Sequence, residues 1–214
     1  MIKNILPDSV TVVATQDLHS DRPCYAEELA LISKAVPKRR DEFITARYCA
    51  RQALAQRSIY DTPILKGDNR QPLWPNGIVG SITHCKNYCA VALAESHQFH
   101  AIGIDSEPNT PLKKNIYHLI ITNNELNNME QSGLPEDLWS KLIFSAKESV
   151  FKCYFPLTLQ YLDFLEAEIS FPAEGQFKVS LLVPPPDQHP QFQGLRGNYL
   201  ITDDHVHTAL TLPV

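Results

Sequence analysis

The chain has 214 residues, 43% of them hydrophobic, and a formal net charge of −5. That length suits one large domain or two small ones, and that composition supports a sizeable core. The acidic balance argues against a general nucleic-acid binder, which needs a basic surface to neutralise phosphates.

Met1 to Pro7 contains no long apolar run, so no signal peptide is expected, and no stretch approaches the ~20 apolar residues of a membrane span. Val10 to Ala14 is β-branched and reads as a strand. Tyr25 to Leu31 can be helical, and Pro37 marks a break. Lys38, Arg39 and Arg40 are consecutive, with Arg47, Arg51 and Arg57 close behind, so a local anion site is possible on an acidic protein. Asp41 to Arg57 reads as the first long helix, uninterrupted by Gly or Pro. On that helix Arg47 and Arg51 lie either on a solvated face or, beside Phe43 and Leu54, against packed surface. Asp61 to Gly77 is a loop rich in Pro, Gly and Asn.

Ile78 to Thr83, Tyr88 to Leu93 and Ala101 to Asp105 read as three strands of an antiparallel meander. Pro108 and Pro111 then punctuate the chain. Helices are expected at 114–119, 123–131 and 135–154. Strands are expected at 165–171, 176–183, 199–202 and 205–212, with Asp203-Asp204 as a hairpin turn. His205 and His207 read as ordinary strand surface, and Pro184 to Pro190 as a loop. The five cysteines match no zinc module and read as free thiols in a reducing compartment. The expected fold class is α+β, with two similar lobes carrying antiparallel sheets. The lobes span 1–106 and 107–214, and the active site lies in the cleft between them.

Asp105 and Glu107 sit two apart in an extended segment, so both point to one side. Carboxylates this close need a proton or a cation between them, unless the pair is a solvated strand end. On the 135–154 helix, Trp139, Leu142, Ile143, Ala146, Val150 and Cys153 form one apolar stripe, with Glu148 opposite. Spacing alone allows a surface ion pair between Glu148 and Lys152. Lys147 beside them reads either as part of a motif or as a surface lysine.

Four blocks occur in a fixed order: Lys66-Gly67-Asp68-Asn69-Arg70-Gln71-Pro72-Leu73-Trp74-Pro75, Gly80-Ser81-Ile82-Thr83-His84-Cys85, Asp105-Ser106-Glu107, and Lys147-Glu148 with Lys152. Together they resemble the compact monomeric 4′-phosphopantetheinyl transferases, most of all the enterobactin synthetase component D subgroup. The resemblance runs from Pro37 to Tyr154.

It implies transfer of the phosphopantetheine arm of coenzyme A to a serine of an apo carrier protein (acyl, peptidyl or aryl), with release of adenosine 3′,5′-bisphosphate. This is the holo-acyl-carrier-protein synthase reaction. The resemblance also implies Mg²⁺ held by Asp105, Glu107 and Glu148. Catalysis would rest on Glu148, as a base acting directly or through water, and on Lys152 at the pyrophosphate. Coenzyme A would be held by Arg39, Arg47, Lys66, Arg70 and His84, together with Asp105 and Lys152. The first lobe would bind coenzyme A, and the second would supply Glu148 and Lys152. A cytoplasmic monomer in siderophore, non-ribosomal peptide or polyketide synthesis is expected, with no nucleic acid and no membrane as partner. The competing readings are a metal-dependent phosphodiesterase or nuclease, and a carrier-binding module without catalysis.

Overall fold

The computed structural model describes residues 1–185, 187 and 190–214. The expected loop at 184–190 includes Pro186, Gln188 and His189, which lie outside the described residues. A short strand, β1 (Thr11–Thr15), and little more than one helical turn, α1 (Ala26–Ala30), come first. Pro37 then opens a helix instead of breaking the chain, because proline at the first helical position gives up an N–H that would go unpaired anyway. This helix, α2, runs from Pro37 to Ala55. β2 (Ile78–Cys85) and β3 (Tyr88–Glu95) follow as a tight hairpin, with Asn87 taking the left-handed backbone conformation that its turn requires.

The first sheet has the order β1-β3-β2, all antiparallel. Its central strand is almost wholly buried, and α2 packs on it through Ala46, Cys49, Ala50, Ala53 and Leu54 against Cys89, Val91 and Leu93. The small residues let the helix approach closely.

The expected three-strand meander ends at β3. The next strand, β4 (Phe99–Pro108), leaves the hairpin and pairs antiparallel with the C-terminal strand β8 (His205–Pro213). It forms one edge of a five-stranded sheet of order β4-β8-β7-β6-β5, completed by β5 (Ala167–Ala173), β6 (Gln176–Leu181) and β7 (Arg196–Ile201). Side chains serve the outer edge of β4. Ser81 Oγ accepts the Ile104 N–H at 3.2 Å, and Thr83 Oγ1 accepts the Ser106 N–H at 2.9 Å. A row of hydroxyls on β2 thus takes the place of a neighbouring strand and joins the two sheets.

The expected helices at 114–119 and 123–131 both occur, though neither is one continuous α-helix. The first is a 3₁₀ turn (Lys114–Ile116) leading straight into α3 (Tyr117–Ile120), and the second is split into α4 (Asn123–Asn127), which the Thr122–Glu125 capping box starts, and a 3₁₀ turn (Met129–Ser132). The 23-residue α5 (Glu136–Thr158) covers the second sheet. All six residues of its expected stripe are buried there, against Ile169, Phe177, Val179, Val206, Leu210 and Leu212. The fold is α+β, each antiparallel sheet carrying one long helix. Among the described residues no helix is long and apolar enough to cross a membrane.

β4 and α5 meet at Gly103. A Cβ there would lie 1.8 Å from the Ser149 carbonyl oxygen and 2.9 Å from the backbone nitrogen of Cys153. No side chain fits between the strand that carries Asp105 and the helix that carries Glu148. Gly103→Ala is expected to cost about 1–3 kcal/mol by overpacking, read as a lowered midpoint in urea unfolding. A midpoint equal to that of the parent chain would show that the contact is not tight.

Candidate active site

Alternation along β4 sends Asp105 and Glu107 to one side and Ser106 to the other, where Ser106 Oγ lies 2.8 Å from His207 Nδ1. Asp105 is buried. Its Oδ1 accepts from Lys152 Nζ at 2.7 Å and from Thr83 at 3.3 Å, and its Oδ2 accepts from Ser145 Oγ at 2.8 Å. Among the described residues Glu107 has one ion-pair partner, Lys141 at 3.6 Å. Burial, and next the charge of Asp105, push the Glu107 carboxyl up to about 7.

Glu148 is half-buried on the polar side of α5 and has no hydrogen-bond partner among the described residues. Burial raises its carboxyl above the ordinary range; Lys152 offsets part of the rise and Asp105 adds to it. The i,i+4 surface pair that spacing allowed does not form, because Lys152 turns to Asp105. Burial alone would lower the Lys152 ammonium, but the charges of Asp105 and Glu148 outweigh it, so the net shift is upward. Lys152 therefore links the three acids electrostatically. Among the described residues, no three His, Cys, Asp or Glu side chains already converge as a cage.

Beyond Lys152 a cavity of about 410 Å³ opens between α5 and the first sheet with its helix α2. Arg39, Arg47, Lys66, Arg70, His84 and Lys152 all line it, and no carboxylate does. Arg47 is 5% exposed. Its Nε donates to the Ile64 carbonyl at 2.6 Å and its guanidinium lies over the Phe43 ring, which leaves its terminal nitrogens for a ligand. Burial lowers the Arg47 guanidinium only to about 10, so it stays charged. Lys66 and Arg70 have no acidic partner among the described residues. Burial, then the neighbouring Arg39, push His84 down to about 4, so its ring is neutral near pH 7.

Sequence reasoning missed the apolar wall made by Leu31, Ile32, Phe151 and Phe155. The i,i+4 pair Phe151 and Phe155 was a readable signal, since it sits on the same helix as the acid. It also missed Glu28, fully buried, which accepts from Arg51 at 2.6 Å and from the Ile64 N–H at 2.8 Å. Glu28 ties the α1 segment, part of the cavity wall, to α2.

Lys147 is not a surface lysine. Its ammonium is spent on Glu125 at 2.7 Å and on the carbonyls of Ile120 and Phe164. His205 and His207 are buried rather than exposed, their rings against Tyr88. Trp74 serves packing, its Nε1 donating to the Gly80 carbonyl.

Burial, and next His205, hold His207 down at about 4. A folded-state value depressed below 6.5 stabilises the fold above that pH, and the stabilisation is lost as pH falls toward 4. His84 acts with the same sign. The thermal midpoint is expected to drop between pH 6.5 and 4, and less steeply in His207→Gln. Equal slopes in both proteins would show that His207 is not held neutral.

A family model described as the 4′-phosphopantetheinyl transferase N-terminal domain matches residues 27–94, and the superfamily model matches residues 101–209. The chain belongs to the 4′-phosphopantetheinyl transferase superfamily. It is 36% identical to the 4′-phosphopantetheinyl transferase PptT of Mycobacterium tuberculosis, over 99% of this chain and 98% of that protein. Identity to the transferase Svp of Streptomyces mobaraensis is 39%, over 99% and 89%. Enterobactin synthase component D of Salmonella typhi is 34% identical over 55% of this chain and 49% of its own length. The likeness to the first two extends past the motif blocks into both ends of the chain.

Proposed function

We propose that this chain moves the 4′-phosphopantetheine group of coenzyme A onto a serine hydroxyl of an apo carrier protein and releases adenosine 3′,5′-bisphosphate. One juxtaposition carries the reading. A cavity lined by five cationic side chains and, among the described residues, by no acid meets Asp105 at Lys152, with Glu107 and Glu148 in electrostatic reach of that lysine, in a chain whose net charge is −5. A polyanionic ligand suits the cavity, and its reacting phosphate belongs at the acids.

In this reading Arg39, Arg47, Lys66, Arg70 and His84 hold the nucleotide and its phosphates, with guanidinium forks fixing their orientation. Asp105, Glu107 and Glu148 fit a Mg²⁺ ion, because they offer hard oxygen ligands and because burial, and next the charge of Asp105, hold Glu107 up to about 7, which a cation would relieve. Bound there, the ion supplies positive charge to the pyrophosphate. Lys152 neutralises charge developing on the leaving phosphate. Glu148 takes the serine proton, and burial, by raising its carboxyl, makes it a stronger base than an exposed glutamate. The likeness to enterobactin synthase component D supports a carrier from siderophore or related assembly-line synthesis. The free cysteines among the described residues support a reducing cytoplasm. Monomeric action is part of the same reading.

The test is an intact-mass measurement of an apo carrier protein after incubation with the chain, coenzyme A and Mg²⁺. A gain of one phosphopantetheine group is expected. No gain across acyl, peptidyl and aryl carriers would overturn the reading, and nucleic acid cleaved in the same buffer would replace it with a phosphodiesterase.

A further inference from the structure

One carboxylate lies at the basic end of the cavity without lining it. Glu42 of α2 is 3.9 Å from Lys38 Nζ, 3.4 Å from Arg39 Nη1 and 3.6 Å from His84 Nδ1. Helical spacing accounts for the first two contacts, and β2 brings His84 to the third. Glu42 is the most withdrawn of the four, its side chain 13% exposed against 80% for Lys38 and 50% for Arg39.

The four groups form a graded set. Arg39 Nη1 donates to His84 Nε2 at 2.7 Å. The neutral ring therefore keeps its proton on Nδ1, the nitrogen that faces Glu42. The hydrogen bond from Arg39 to Glu42 is 3.4 Å long, well beyond the 2.7–2.9 Å of a firm charge-assisted bond. Glu42 thus attracts these groups without gripping them. Two full cations and one neutral imidazole are already set against one carboxylate.

We infer that Glu42 is a resident counter-charge of a phosphate subsite formed by Arg39 and His84, with Lys38 beside them outside the cavity lining. Its charge keeps the cations gathered before a ligand arrives and weakens their hold on the phosphate that follows. The inference rests on the reading of the cavity as a coenzyme A site. A phosphate monoester brings up to two negative charges beside a carboxylate too withdrawn to swing freely into water. The like charges repel, and Glu42 sets how readily the nucleotide product leaves. A Glu42 that only aimed Arg39 would have the opposite signature, because its removal would weaken binding.

The sign decides. Calorimetric binding of adenosine 3′,5′-bisphosphate and of coenzyme A, without Mg²⁺, is compared in the full chain, Glu42→Gln and Glu42→Ala. Both neutral variants are expected to bind about fivefold more tightly, the scale of one partly exposed charge pair. Tightening in either variant whose thermal midpoint matches the parent supports the inference. Unchanged or weaker binding in both overturns it and leaves the coenzyme A reading intact. If the parent chain binds neither probe, the coenzyme A reading falls, and this inference with it.

Discussion

Glu148→Gln is expected to lower the rate of carrier modification by about 10²–10⁴-fold, the range set by losing a positioned base. The fold should be unaffected, and the structure says why. Glu148 accepts no hydrogen bond from a described residue, so an amide of the same shape breaks none. It is absent from the cavity lining, so coenzyme A binding measured without Mg²⁺ should match the parent chain. What changes is charge. Lys152 loses one of the acids that raise its ammonium, and the serine hydroxyl loses its proposed acceptor. The measurement is single-turnover transfer alongside thermal unfolding. Full transfer at an unchanged midpoint would remove Glu148 from both the metal and the base roles.

What could be read from the sequence divides by the range of the interaction involved. The stripe Trp139, Leu142, Ile143, Ala146, Val150 and Cys153 was legible because helical periodicity is local, and all six residues are in the core. The shared side of Asp105 and Glu107 was legible for the same reason. The partner of β4 was not, since pairing with β8 is made by two segments far apart in the chain, and adjacent strands suggested a hairpin instead. Which strand the Ser81 and Thr83 hydroxyls serve was equally hidden. Their hydroxyls matter only once β4 lies with an unpaired edge beside β2. His205 and His207 carried no sign of burial, because Tyr88 and Ser106, which cover them, come from the middle of the chain, far away in sequence. Around the cavity Lys66, Arg70, His84 and Lys152 were legible through the motif blocks, and Arg39 and Arg47 through the wider resemblance. The apolar wall was not, because no motif contains it.

The second large effect is expected at Lys147, beside the proposed base but turned away from it. Its ammonium is 1% exposed and faces Glu125, itself 2% exposed, at 2.7 Å. Burial lowers the Lys147 ammonium and raises the Glu125 carboxyl, each opposed by the charge of the other. Glu125 also accepts the N–H groups of Thr122 and Ile169. The pair thus anchors α3, α4 and the edge strand β5 to the middle of α5, one residue before Glu148. Lys147→Met removes the cation and leaves a carboxylate buried without its counter-charge, which costs about 3–5 kcal/mol. Adding Glu125→Gln removes that orphaned charge while keeping an oxygen for the Ile169 N–H. The double variant is expected to recover more than half of the loss in urea unfolding, a large positive coupling in a double-mutant cycle. A lysine that contacted substrate would behave differently, since Lys147→Met would then spoil catalysis with little change in stability and Glu125→Gln would restore nothing.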